Sequence, residues 1–333
     1  MKNMNNIKIK NKFIFVILLL LILIVLSLFL GSTKLSIKDC LIGLFTNDNN
    51  TFKIIMRNIR LPRILGAIIA GSGLAVSGLI IQTITDNGLA SPNIIGVNSG
   101  AGFITIIILS IIPSLINYVA IGSFVGAMLT TIFILFISSK ISNSKMTIIL
   151  AGMAVTTLLN AGISFISMLD TSVLDTYKYF SVGGLNGISI KQLILPLIFI
   201  LISIVLLLIM SNKIEILILG DNISKTLGLN VNVIKIISFI CASLLAASVV
   251  SFAGLLGFVG LIIPHISRKL IGYKLKDNII MSLILGAIIV LLADTIGRII
   301  LYPTEIPVGI VMAFIGCPFF IYLLFRSKSY ARN

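Results

Sequence analysis

"VIKIISFICASLLAASVVSFAGLLGFVGLIIPHISRKLIG", residues 233–272, is the stretch on which the fold turns. Its apolar part, 233–263, is too long for one helix across a hydrocarbon core of about 30 Å and short for two. Charge decides between them. The segment before it, 212–232, carries Lys213 and Lys225, and the segment after it, 268–278, carries Arg268, Lys269, Lys274 and Lys276. Short loops rich in Lys and Arg stay on the cytoplasmic side. Both flanks therefore lie on that side, and 233–267 crosses twice. The expected turn is "SFAG", residues 251–254, followed by a short returning helix that ends near Pro264 and His265.

Eight further apolar runs lie outward from this stretch: 13–30, 64–83, 94–112, 115–137, 147–168, 193–210, 279–301 and 307–325. With the double crossing they predict about ten transmembrane helices in one domain, 1–333, an all-α polytopic membrane protein. Composition agrees: 58% of the residues are hydrophobic, 11% are charged, and the mean hydropathy is +1.19. The net charge of +15 sits in short segments between spans, where it sets orientation, so nucleic acid is not an expected partner. The basic amino-terminal segment, 138–146 and the basic tail from Arg326 read as cytoplasmic, which puts both termini inside a multi-pass protein of the cell membrane. Residues 13–30 end in "GSTKLS" without a small-x-small cleavage pattern, so they read as a retained span. Ala67, Gly71 and Ala75 recur at four-residue steps, a face that lets helix backbones approach closely.

One segment breaks the charge rule. With the amino terminus inside, residues 31–61 lie outside, yet they carry Lys34, Lys38, Lys53, Arg57 and Arg60, with Arg63 just inside the second span and Arg298 on the same face. Two readings stand: the side chains snorkel to lipid phosphates, or they form a cationic socket for carboxylates of an extracytoplasmic partner. Asp294, four residues before Arg298, can pair with it and either orient or silence it.

The chain contains no G-x-x-x-x-G-K-[ST] stretch, so it has no P-loop of its own. Ion coupling usually needs ionisable groups near mid-bilayer, and Asp294 near an outer end fits that poorly. A separate ATPase is the economical energy source. Cys40, Cys241 and Cys317 lie in unrelated segments and show neither disulfide nor metal-ligand spacing, and His265 is the only histidine. No metal site is expected. The cysteines, Met153 and Met168 read as packing residues, and His265 as structural.

"RLPRILGAIIAGSGLAVSGLIIQTITDNGLASPNIIGVNSGAG" (60–102), "LGDNISKTLGLNV" (219–231), "AGLLGFVGLIIPHISRKLIG" (253–272), "LLADTIGRII" (291–300) and "EIPVGIVMAFIGCPFFIYLL" (305–324) resemble, in order, the blocks of the FecCD family. These are the permease subunits of ATP-binding-cassette (ABC) importers for iron-siderophores, haem and cobalamin. The resemblance implies a type II ABC importer permease-like bundle with ten spans, paired with a second permease subunit, as homodimer or heterodimer, around a central pathway. It implies import of an iron(III)-siderophore complex, with haem or cobalamin as the alternative cargo. The subunit itself would be no enzyme and would bind no cofactor, since ATP and Mg are used by the partner ATPase.

The same resemblance assigns sites. Arg60, Arg63 and Arg298 match the positions that dock glutamates of a substrate-binding protein, and Arg57 joins them by charge alone. An inner gate falls at Asn87 and Leu89, and more loosely at 142–145. The family usually has Asn-Pro-Leu-Ala where this chain has Asn87, Gly88, Leu89 and Ala90, and glycine frees the backbone that proline fixes. Segment 217–229 looks like the coupling helix pair that seats on the ATPase: Leu219 and Gly220 lead in, Asp221 caps, Ile223 and Leu227 form an apolar ridge, and Gly228 ends the helix. Phe319 and Phe320 read either as core packing or, because the tenth span lines the pathway in relatives, as pathway residues.

Overall fold

The computed structural model describes residues 2–33, 35–45, 51–141, 145–301 and 303–330, and every regular element within them is helical. In chain order these are α1 (Lys2–Phe29), α2 (Ile37–Phe45), α3 (Thr51–Thr85), α4 (Val97–Ser110), α5 (Val119–Ile141), α6 (Lys145–Leu169) and α7 (Leu174–Val182). They continue as α8 (Ile190–Leu217), α9 (Asp221–Thr226), α10 (Val231–Ala253), α11 (Val259–Ile271), α12 (Leu275–Ile299) and α13 (Val308–Tyr330). Seven helices, α1, α3, α5, α6, α8, α10 and α12, are long and apolar enough to cross a membrane; α4 and the Val308–Leu323 part of α13 are shorter apolar helices. The protein is a multi-pass membrane protein.

Helix α3 is the axis. Its most apolar window is 83% buried, against 11% for α1, and it is enclosed by α12, α10, α11 and α8. The small residues expected to allow this do so: Ala67 and Ala75 are fully buried, and a Cβ on Gly71 would fall on the backbone of Gly286 in α12. One turn pair further on, a Cβ on Gly78 would fall on the backbone of Gly260 in α11. Without a hydrophobic drive between helices in lipid, such backbone contact is what holds them together. Helices α4, α5 and α6 pack on one another and join the centre through α10.

The stretch 233–272 folds as two helices. Helix α10 ends at Ala253, where Gly254 takes a φ of +67°, within the expected turn. The non-helical segment that follows is partly buried and tied to protein: the Leu255 amide donates to the Phe180 carbonyl at 3.0 Å and the Gly184 amide to the Ala253 carbonyl at 2.9 Å. The returning helix differs from expectation, because it continues through Pro264 and His265 to Ile271. Proline normally breaks a helix by removing the amide that would bond the carbonyl four residues earlier. Here that carbonyl belongs to Gly260, and Gln82 Nε2 of α3 donates to it at 3.3 Å. A side chain from another helix thus satisfies the vacancy.

Candidate functional site

At one end of the bundle the chain gathers three arginines. A seven-residue π-helical segment, Ile54–Arg60, leads into the α-helical part of α3, whose second residue is Pro62. Arg60 and Arg63 therefore leave the start of α3 into the interior, where Arg298 of α12 meets them. Arg63 donates from Nε to Asp294 Oδ1 at 2.8 Å and from Nη1 to Glu305. The second oxygen of Asp294 lies 3.1 Å from Arg298 Nε, and Arg298 also donates to the Ser27 hydroxyl of α1. Arg60 takes a different set of acceptors: the carbonyls of Leu28, Phe29 and Thr33, the last at 2.7 Å. These are the free carbonyls at and just beyond the carboxyl end of α1, where the helix dipole is negative.

Three guanidinium groups thus face two carboxylates, and among the described residues Arg60 has no carboxylate partner. Arg60, Arg63 and Arg298 are 3%, 4% and 3% exposed. An open cationic rim was expected; the side chains are instead buried, and most of their donors are used within the chain, although Arg298 Nε meets Asp294 by charge and not by a hydrogen bond. The physical reason is that Asp294, Glu305 and the end of α1 supply the compensation which burial of charge requires. Arg57, half-buried, donates from Nε and Nη2 to the Leu44 carbonyl at 3.2 and 2.7 Å. A cavity of about 70 Å³ beside the cluster is lined by Ser32, Thr33, Arg60, Arg63, Arg298 and Glu305. Glu305 lies on the segment between α12 and α13. Its burial disfavours ionisation, but hydrogen bonds from Ser32 and Arg63 and the charges of Arg63 and Arg298 outweigh this and hold the carboxyl below its usual range. Lys34 lies outside the described residues.

At the opposite end, α3 terminates at Asp86 in a left-handed conformation, φ +50°. Asn87 Oδ1 accepts from the Leu89 amide at 2.9 Å, folding the loop on itself. Helix α11 grips this region: Arg268 donates to Gln82 Oε1 at 2.8 Å and to Thr83 Oγ1 at 3.3 Å, and His265 Nε2 lies 2.9 Å from the Gly88 carbonyl. From the other side Lys145 of α6 pairs with Asp86 at 3.4 Å. Residues 142–144 of the looser gate stretch lie outside the described residues. A cavity of about 230 Å³ opens here among Gln82, Asp86, Asn87, Arg268 and Asn278, with Ile218 on its wall.

Between α8 and α10 the segment 217–229 contains one helix, α9, and not the expected pair. Asp221 is its first residue and not its cap; Gly220 occupies the cap position with a φ of +100° and no side-chain bond. Asp221 Oδ2 pairs instead with Lys235 Nζ at 2.6 Å, which neutralises a lysine buried in α10. Gly228, φ +81°, follows the helix end as expected. Buried Ser224 ties α9 down through the Ile216 and Gly220 carbonyls, leaving Leu219, Ile223 and Leu227 exposed.

The profile of the FecCD transport family matches residues 19–326, a range that takes in both ends of the bundle just described. The chain belongs to the FecCD transport family. Over 304 residues, 91% of each chain, this FecCD protein is 38% identical to the Fe(3+)-citrate import system permease protein YfmD of Bacillus subtilis. It is 34% identical over 306 residues, 91% of this chain and 92% of the other, to IsdF of Staphylococcus aureus, described as a heme-iron transport system permease protein. A solved structure described as an inward-facing conformation of a metal-chelate type ABC transporter superposes with a TM-score of 0.82 at 30% identity, covering 95% of this chain and 99% of the other.

Two further side chains of the FecCD chain escaped sequence reading. Glu305 is the last of its ten acids and stands shortly after the end of α12 that carries Arg298, a signal that could have marked it as a counter-ion. Ser27 carried no such mark. Met153 and Met168, expected to pack, face outward from the chain, as does Cys317. Among the described residues no three His, Cys, Asp or Glu side chains converge as metal ligands.

Proposed function

We propose that the protein is the transmembrane subunit, acting as one domain, of an ABC importer that moves iron(III)-siderophore complexes inward across the cell membrane. The relatives named for iron citrate and for haem support the cargo class. Haem or cobalamin is the alternative, and the haem-iron relative, matching over nearly the same length, supports haem of the two.

Ten crossings follow if α4, α11 and α13 join the seven long helices. Helix α11 has 13 residues, about 20 Å, against a core of about 30 Å. The partly buried segment before it completes the crossing, as non-helical backbone can where protein satisfies it. Basic residues around Lys145, Lys213, Arg268 and Lys274 support a cytoplasmic position for the gate end, with both termini on that side.

The observation that carries the reading is the pairing of opposite poles: a buried cluster with one arginine in excess of its carboxylates, and an exposed apolar ridge, Ile223 and Leu227, at the other end. The first suits a binding protein presenting carboxylates to Arg57, Arg60, Arg63 and Arg298. The second suits an ATPase subunit that seats Leu219 to Gly228 and uses ATP and Mg itself. Asn87 and Leu89 form the inner gate between them. A second permease subunit covers outward residues such as Met153, Met168 and Phe314, and lipid the rest.

Reconstitution of the permease with its ATPase and binding protein tests this. ATP hydrolysis is expected to rise with one ferric siderophore among a panel of iron chelates, haem and cobalamin. Stimulation by haem or cobalamin alone would move the cargo to the alternative, and uptake that survives loss of the ATPase would remove the ABC reading.

A further inference from the structure

We infer that His265 and Arg268 are positioning residues of the inner gate, holding the loop at Asn87–Ala90 and its stem onto α11; this rests on the reading of Asn87 and Leu89 as the gate. The two side chains are three residues apart on one face of α11 and grip both sides of the turn that ends α3. Arg268 holds the stem, through Gln82 Oε1 at 2.8 Å and Thr83 Oγ1 at 3.3 Å. His265 holds the loop itself, through the Gly88 carbonyl at 2.9 Å. A carbonyl only accepts, so His265 Nε2 carries the hydrogen.

The loop residue fits this contact by lacking a side chain. A Cβ at position 88 would lie 3.1 Å from His265 Cε1 and 3.2 Å from Nε2, closer than ordinary packing allows. Glycine at 88 therefore eases the approach of the imidazole, which a Cβ would push back by a few tenths of an ångström, and proline would fix the backbone as well.

The grip reaches the other end of α11 as well. Gln82 uses its amide oxygen for Arg268 and its nitrogen for the Gly260 and Leu261 carbonyls at 3.3 and 3.4 Å, so one side chain ties the first turn of α11 to its last. Gly78 and Gly260 put the two backbones in direct contact just above. Beyond α11, Asn278 fixes the exit turn by bonds to the Gly272 and Lys274 carbonyls at 2.7 and 3.0 Å and to Ser267 at 2.7 Å. The gate stem and α11 are thus one rigid piece, and the loop hangs from it by His265. Ile218, which leads into the segment proposed to seat the ATPase, lines the cavity beneath, so a push there meets this piece first.

The test is the accessibility of the gate in the permease–ATPase complex reconstituted in liposomes. Leu89→Cys, in a Cys317→Ser background, is reacted with a membrane-impermeant maleimide from the cytoplasmic face, with and without ATP and Mg. His265→Ala is expected to raise the nucleotide-free rate about three- to ten-fold, the scale of one lost neutral hydrogen bond. His265→Gln, whose amide nitrogen can donate to the same carbonyl, is expected to restore it. Gly88→Ala is expected to raise the rate with the imidazole still present, which guards against a folding defect of the histidine variant. Unchanged rates in both His265→Ala and Gly88→Ala would overturn the proposal. A rate at Leu89→Cys indifferent to nucleotide in the otherwise native complex would instead remove the gate reading on which it rests.

Discussion

Asp294 Oδ1 lies 2.8 Å from Arg63 Nε in the interior, although 231 residues separate the two in the chain. Since its other oxygen faces Arg298, this one carboxylate joins α3 to α12 and stands between two guanidinium groups. Asp294→Asn is expected to leave Arg298 without a paired carboxylate at a buried site and Arg63 with Glu305 alone, at a cost of about 3–5 kcal/mol. Thermal unfolding of the purified protein in detergent measures it; a loss no larger than that of Glu305→Gln would show that Asp294 is not the centre of the cluster.

Glu305 sets an acid limit. Its carboxyl is held below the ordinary value of 4.5, because hydrogen bonds and arginine charge outweigh its burial. A group with a lowered folded-state value contributes stability above its unfolded value and loses it as pH falls through the folded one. The protein is expected to lose thermal stability as pH falls below about 4.5, with a shallower fall in Glu305→Gln. Equal slopes for the two proteins would separate Glu305 from acid sensitivity.

Arg57 is the most accessible of the four docking candidates. Arg57→Glu is expected to weaken association with the binding protein about ten-fold at low salt, and less at physiological salt, where charge is screened over about 8–10 Å. Surface-immobilised binding at two ionic strengths checks it, and a salt-independent change would point to lost packing.

Leu227 is exposed on the segment proposed to seat the ATPase. Leu227→Asp is expected to remove about 1.5–3 kcal/mol of apolar contact with the partner. Uptake of ferric citrate by the reconstituted complex should fall while the ATPase still hydrolyses ATP; normal uptake would free Leu227 of that role.

Gly71 touches the backbone of Gly286. Gly71→Ala is expected to push α3 from α12 at a cost of about 1–3 kcal/mol, seen as a lower unfolding temperature.

The helical plan was open to sequence reading wherever one element carried its own signal. The turn at Gly254 followed from charge on two flanks, and the face of Ala67, Gly71 and Ala75 followed from spacing. What escaped was pairing across distance. The Asp294–Arg298 pair followed from four-residue spacing, but the burial of Arg60, Arg63 and Arg298 also depends on Ser27, Glu305, the end of α1 and the reach of Arg63 to Asp294, which no local pattern brings together. Asp221 looked like a cap because its neighbours suit a helix start, but a buried Lys235 fourteen residues on claims it. Pro264 looked like an end because the amide it lacks is local, while the donor that substitutes is 182 residues away in α3.

That substitution makes Pro264 a residue whose value lies in something it does not do. An alanine there would supply an amide of its own and close the ladder of α11 internally, returning Gly260 to its own helix. The oxygen has a second lone pair, so Gln82 could still reach it, but only as one of two donors on a shared acceptor, and the tie between α3 and α11 would weaken although no atom of their contact had been deleted. Two positions far apart in the chain are coupled in this way, and a helix made more regular on its own would make the bundle less secure.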